Sequence, residues 1–110
     1  MRTRCEPTDF AVCITPGSDT LIGVSGEFDL ATVPLFEAAL QKLELLSVRC
    51  VVLDLARLTF MDAAGLHTVL DLHAACLRLS KALTIVPGPR NVQRVFELTG
   101  FDRLLPFSRS

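Results

Sequence analysis

The chain has 110 residues, half of them hydrophobic, with 11 Lys and Arg against 12 Asp and Glu and a formal charge of -1. This length fits one small domain that buries well over half of its unfolded surface, so neither metal nor disulfide is needed to hold it. The balanced charge, without a run of Lys or Arg, removes the electrostatic pull toward nucleic acid or an anionic membrane.

"MRTRCEPTDF" at residues 1–10 lacks the apolar middle of a secretion signal, and its polar stretch with Pro7 predicts a flexible N-terminus over residues 1–8. "DFAVCIT" at 9–15 alternates Phe10, Val12 and Ile14 with smaller residues, the period of a strand. "PGSD" at 16–19 is turn chemistry, and "TLIGVSGEF" at 20–28 reads as a second strand, so the pair is expected to form a hairpin. "DLATVPLFEAALQKLELL" follows. Thr32 can cap a helix with Pro34 in its first turn. Phe36, Ala39, Leu40, Leu43 and Leu46 then share one face, and the helix is expected to end near Ser47.

"CVVLDLA" at 50–56 is a continuous apolar run, the pattern of a strand covered on both faces in a parallel sheet. Asp62 can cap a second helix over about 63 to 79, with Leu66, Val69, Leu70, His73 and Leu77 as its buried stripe. "ALTIVPG" at 82–88 is another strand. "NVQRVFELTG" at 91–100 is a third helix, with Val92, Val95, Phe96 and Thr99 on one face and Gly100 as its stop. "FDRLLPF" at 101–107 fits a short strand or a helical turn. No repeat or linker interrupts the pattern, so residues 9–110 are read as a single α/β domain with a small mixed β-sheet packed with α-helices.

Four cysteines, Cys5, Cys13, Cys50 and Cys76, include no CxxC pair. Cys13, Cys50 and Cys76 lie in apolar segments and are expected to be buried free thiols rather than zinc ligands or disulfides. His67 and His73 are six residues apart and miss the i, i+4 spacing of a helical metal pair, so no metal and no cofactor is expected. His73 falls on the predicted core stripe, and His67 on the solvent side. Phosphate-binding loops and the GxSxG nucleophile elbow are absent. Asp54 stands where a receiver domain carries its phosphoacceptor, but the acidic pair after the first strand and the late lysine are missing. Its expected task is to hydrogen-bond backbone in the loop that follows. Asp29 and Asp62 both fall at strand-to-helix junctions, which gather at one edge of a parallel sheet, where ligands and partners bind.

Three segments, "GEFDLATVPLFEAAL" (26–40), "VVLDLARLTFMDAAGLHTVL" (51–70) and "VQRVFELTGFDRLLPF" (92–107), together resemble the STAS domain of bacterial anti-sigma-factor antagonists. Members of that family typically read G-E-x-D-x-x-T, then L-D-L-x-x-x-x-F-x-D-S-x-G, then a V-x-x-x-F-x-x-T-G tail closed by Phe. The resemblance implies the STAS fold and a non-catalytic protein-binding regulator in the cytoplasm. Its partner is an anti-sigma factor that is also a GHKL-type serine kinase, and docking on it releases a sigma factor. The resemblance also implies that phosphorylation of the Ser after the Asp breaks the complex. Here that position is Ala63, which has no hydroxyl to accept a phosphate. Glu27, Asp29, Asp62, Ala63, Ala64, Gly65 and His67 are the expected partner-binding residues. Other hydroxyls near the two junctions are Ser25, Thr32, Thr59 and Thr68. An alternative is a STAS accessory or scaffold subunit of a larger assembly, either a stress-signalling complex or a lipid ABC transporter. A nucleotide-binding enzyme with Asp29 and Asp62 as ligands is the third reading, although nothing in the sequence cradles a phosphate.

Overall fold

A computed structural model describes residues 10–108. The predicted N-terminal segment 1–8 and Cys5 lie outside the described residues. In chain order the elements are β1 (Ala11–Thr15), β2 (Asp19–Phe28), α1 (Val33–Gln41), a 3-10 turn (Leu45–Ser47), β3 (Cys50–Met61), α2 (Ala63–Arg78), β4 (Ala82–Val86), α3 (Arg90–Thr99) and a second 3-10 turn (Phe101–Arg103). The four strands form one sheet in the order β1-β2-β3-β4. β1 and β2 make the expected antiparallel hairpin, while β3 joins β2, and β4 joins β3, in parallel.

β3 is longer than the apolar run that announced it, continuing through Ala56–Met61. Two residues of β3 have no counterpart in β2, one between the pairs Gly23↔Asp54 and Ser25↔Arg57, the other between Gly26↔Leu58 and Glu27↔Phe60. Each bulge shifts the alternation of side chains by one position. The buried series Val51, Leu53, Leu55 therefore continues as Leu58 and then Met61, in steps of three rather than two. Asp54 supports the first bulge, since its Oδ1 accepts the Ala56 amide at 2.9 Å. The carboxylate does hold backbone as expected, but inside the strand and not in a loop.

All three helices contribute to one core on a single face of the sheet, with Phe36 from α1, Leu66, Val69, Leu72 and Cys76 from α2, and Val92 and Phe96 from α3. They pack on Ile22, Val24 and Phe28 of β2, on Val51, Leu53 and Leu55 of β3, and on Ile85 of β4. The opposite face of β3 is only partly covered, so the expected two-sided burial is wrong: Cys50, Val52 and Asp54 are half-buried. β-Branched residues suit a strand on one-sided as well as two-sided sheets, and the apolar run alone does not count the layers.

Three further expectations are corrected. α1 stops at Gln41 and not near Ser47, and Leu46 is exposed. The return from the end of β2 to the start of β3 must span the whole of β2, about 33 Å for ten residues of strand. A continuous helix over residues 33–47 would rise only about 22 Å. An extended and 3-10 segment covers more distance per residue. In α2 the buried stripe is Gly65, Leu66, Thr68, Val69, Leu72 and Cys76, while His73 and Leu70 are half-buried and Leu77 is exposed. Both stripes share Leu66 and Val69, but the close packing of Gly65 turns the helix toward Leu72 and Cys76. Of the three described cysteines only Cys76 is buried, whereas Cys50 is half-buried and Cys13, on the open face, is exposed.

The C-terminal segment closes the core. Gly100 adopts φ 81° and ends α3 as expected. Phe107 makes a single parallel bridge to Ile85, and its ring meets Phe96 edge-on at 5.0 Å. On the predicted face of α3, Val92 and Phe96 are fully buried and Val95 is half-buried, but Thr99, in the last turn, is exposed.

Burial pushes the Cys76 thiol above its ordinary pKa, and the thiolate is the reactive form. In a Cys5→Ser background, iodoacetamide is expected to modify Cys13 in the folded protein. Cys76 is expected to react at least about a hundredfold more slowly, at the rate of core opening. Peptide mass spectrometry over a labelling time course measures both rates.

Candidate functional site

The parallel pairing of β2 and β3 ends at Phe28↔Met61, so Asp29 and Asp62 leave the sheet side by side. The Asp62 amide donates to the Phe28 carbonyl at 3.2 Å. Gly26 enables this ending: it lies at the second bulge with φ 90°, a conformation that strains any residue with a Cβ.

Asp62 caps α2 as expected. Its Oδ1 accepts the amides of Ala64 and Gly65 at 2.9 and 3.1 Å. Its Oδ2 accepts the Leu30 amide, 32 residues earlier in the chain, at 3.3 Å. One carboxylate thus ties the start of α2 to the turn that precedes α1. Asp29 holds that turn from within. Its Oδ1 accepts the Ala31 and Thr32 amides, each at 3.1 Å. Thr32 occupies the N-cap position, but its hydroxyl does not cap α1. The Thr32 Oγ1 instead accepts the Asp29 amide at 3.0 Å and donates to the Glu27 carbonyl at 2.8 Å. The two acids, the ligands of the nucleotide-binding reading, are engaged with backbone amides.

Gly65 is present for space. A Cβ there would lie 2.6 Å from the Phe28 carbonyl oxygen and 2.7 Å from the Met61 side chain. The first turn of α2 can approach the sheet only with glycine at this position. Ala63, the first residue of α2, is exposed; Ala64 is half-buried, and His67, one turn on, is exposed as expected. Glu27 is exposed at the end of β2. The structure therefore brings Asp29, Asp62, Ala63 and Ala64 to one edge, while Gly65 lies beneath them as packing. Of the other hydroxyls, Thr68 is buried and donates to the Ala64 carbonyl at 2.9 Å, Ser25 is half-buried, and Thr59 is exposed.

Sequence reasoning missed Leu30. Its side chain is 75% exposed beside Asp62. The only signal was a leucine between Asp29 and Ala31 in a turn, where polar residues are usual. A shallow cavity of about 460 Å³ lies elsewhere, on the helix-free face, lined by Ala11, Cys13, Gly23, Ser25, Asp54 and Arg57 among others. Among the described residues no three His, Cys, Asp or Glu side chains come together to hold a metal ion, and no helix is long and apolar enough to cross a membrane.

A one-layer mixed sheet with three helices on one face, ending in two acid-clamped strand-to-helix junctions, is the architecture of a small α/β domain that presents a shaped edge. The STAS domain family model matches residues 11–110, and the chain belongs to that family. It is 30% identical to the anti-sigma-B factor antagonist of Staphylococcus aureus over 84 residues, 76% of this chain and 78% of that protein. The same figures hold for the anti-sigma-B factor antagonist of Staphylococcus epidermidis. Among solved structures, an anti-sigma factor antagonist from Mycobacterium paratuberculosis superposes with a TM-score of 0.82 at 23% identity, covering 96% of this chain and 90% of the other. The antagonist SpoIIAA in its unphosphorylated form superposes with a TM-score of 0.71 at 19% identity, covering 93% and 90%.

Replacing Asp62 by Ala removes two cap bonds and leaves the Leu30 amide without its partner. The expected loss is about 2 kcal/mol, the upper end for a cap. Asp62→Asn keeps one acceptor oxygen and is expected to lose roughly half as much. Gly65→Ala forces the helix off the sheet at an expected cost of about 1–3 kcal/mol. Urea unfolding followed by circular dichroism measures all three.

Proposed function

We propose that this chain is a non-catalytic regulator of the anti-sigma-factor antagonist type, one that binds an anti-sigma factor of the GHKL serine-kinase class and so releases a sigma factor. The observation that carries this reading is the junction at residues 62–65. Asp62 and Gly65 stand at the motif positions of the family, and the first turn of α2 is open to a partner. The names of the four relatives cited above, antagonists of anti-sigma factors, support the same assignment. Asp29, Glu27, Asp62, Ala63, Ala64, Gly65 and His67 form or support the docking edge in this proposal.

Ala63 sets the regulation apart. It stands where relatives carry the phosphoacceptor serine, so the kinase partner has no hydroxyl to modify there. The chemistry of a switch would otherwise be simple: a phosphate adds about -1.5 to -2 charge at the contact surface. Asp62 already engages the Ala64 and Gly65 amides. An anion on residue 63 would therefore face the partner rather than be neutralised by the helix start. Without that hydroxyl, the antagonist stays competent to bind in the presence of ATP, and control passes to its abundance or to the kinase. The missing hydroxyl equally suits a scaffold or transporter subunit that is never switched in this way. A co-transcribed ATPase–permease pair would favour that second reading over a neighbouring kinase or sigma factor.

Two variants test the proposal with the purified anti-sigma factor encoded nearest to this chain's gene. With ATP, the wild type is expected to form a complex that persists for hours and takes up no phosphate. Ala63→Ser is expected to gain phosphate at residue 63, read by mass spectrometry, and to dissociate as it does so. Ala63→Asp, at an exposed position, is expected to weaken binding at least about tenfold through charge repulsion, with an unchanged melting temperature. Stable incorporation of phosphate into the wild-type chain would overturn the unswitched reading.

A further inference from the structure

The turn Asp29–Thr32 is locked to an unusual degree for an exposed segment. Asp29 Oδ1 holds the Ala31 and Thr32 amides, Thr32 Oγ1 holds the Asp29 amide and the Glu27 carbonyl, and Asp62 Oδ2 holds the Leu30 amide. This rigid frame displays Leu30 with 75% of its surface in water, and Leu35 follows in the first turn of α1 at 57%. Neither side chain contributes to the core, which takes Phe36 from α1. A large apolar side chain held in one place at the surface has already lost the backbone freedom that binding would otherwise remove.

The charge around it is segregated. Glu27 to Gln41, which ends β2 and forms the turn and α1, holds Glu27, Asp29 and Glu37 and no Lys or Arg. Leu58 to Leu77, which ends β3 and forms nearly all of α2, holds Asp62 and Asp71 and again no Lys or Arg. All 11 basic residues lie outside these two segments, although the chain as a whole is almost neutral. The edge where the segments meet, through Leu30 and Asp62, thus carries an exposed leucine within two stretches that hold five acids and no Lys or Arg, flanked by Arg90 at the start of α3, where the Asn91 side chain donates to the Thr59 carbonyl.

We infer that Leu30, seconded by Leu35, is the apolar anchor of the docking edge, and that it seats in an apolar pocket rimmed by Lys and Arg on the partner protein. This rests on the antagonist reading above and names the chemistry of the surface that the partner must offer. A few side chains seated in desolvated pockets carry most of an interface's energy, most often Trp, Tyr or Arg, and an aliphatic anchor in a fitted pocket can serve in the same way, while rim charges mainly set association rate and salt dependence. The anchor lies outside the residue-63 position, so it holds the partner whether or not that position can be modified.

The test uses the full chain and each purified anti-sigma factor of the source organism, by calorimetry at two salt concentrations. Leu30→Ala is expected to lower affinity at least about tenfold, with an unchanged melting temperature. Leu98→Ala is the control, because Leu98 is 76% exposed in the last turn of α3, outside both acidic segments, and its loss is expected to leave affinity unchanged. Raising the salt from 50 to 300 mM is expected to weaken the affinity of wild type and of Leu30→Ala by similar factors. If wild type binds and Leu30→Ala binds equally well, the anchor is overturned and the antagonist reading stands. If wild type binds none of these proteins, the antagonist reading falls, and the anchor falls with it.

Discussion

The register of β3 against β2 governs the rest of this domain. β3 carries two more residues than β2 over the paired stretch, and both are absorbed as bulges before the strands end together at Phe28 and Met61. Without them, the alternation that buries Val51, Leu53 and Leu55 would turn Leu58 toward water and bring Arg57 and Thr59 onto the core face. With them, the buried series continues through Leu58 to Met61, and the chain leaves the sheet at Asp62 directly beside Asp29. Asp54, the bulge glycine Gly26 and the close-packed Gly65 each serve this one geometry.

Two acids at the end of a parallel sheet can serve as ligands, yet both Asp62 oxygens and Oδ1 of Asp29 are committed to backbone amides. Asp62 bonds three amides from two parts of the chain, and Asp29 bonds two within its own turn. Their common effect is to make a loop behave like an element. The cost of ordering the turn is met during folding, so a partner meets a preformed surface. It is what the proposed docking role requires: fixed backbone, small residues at the start of α2, and an apolar side chain between them.

Much of this was legible in the residues. The hairpin rested on "PGSD" between two alternating runs, the α2 cap on Asp62 before a helical period, and the end of α3 on Gly100. All three depend on local chemistry, within a few residues of the feature they set. The errors share the opposite property. α1 stopped early because it had to return to the foot of β3. The α2 stripe turned because Gly65 packs on Phe28 and Met61. Cys13 and Val52 face outward because the helices cover only one side of the sheet. Each outcome was decided by an element distant in the chain.

The order of strands and helices, the family with its three spaced motifs, and the absence of a hydroxyl at residue 63 are all readable from the residues alone. These are properties of period, turn chemistry and residue identity, which a linear pattern carries directly. Folding in three dimensions is what carries β3 to Met61 through two bulges, brings one Asp62 oxygen to Leu30 across 32 residues, and leaves Leu30 displayed rather than buried. A bulge changes which face a residue meets without changing its neighbours in sequence. A clamp between two junctions exists only once the parallel strands have brought them together.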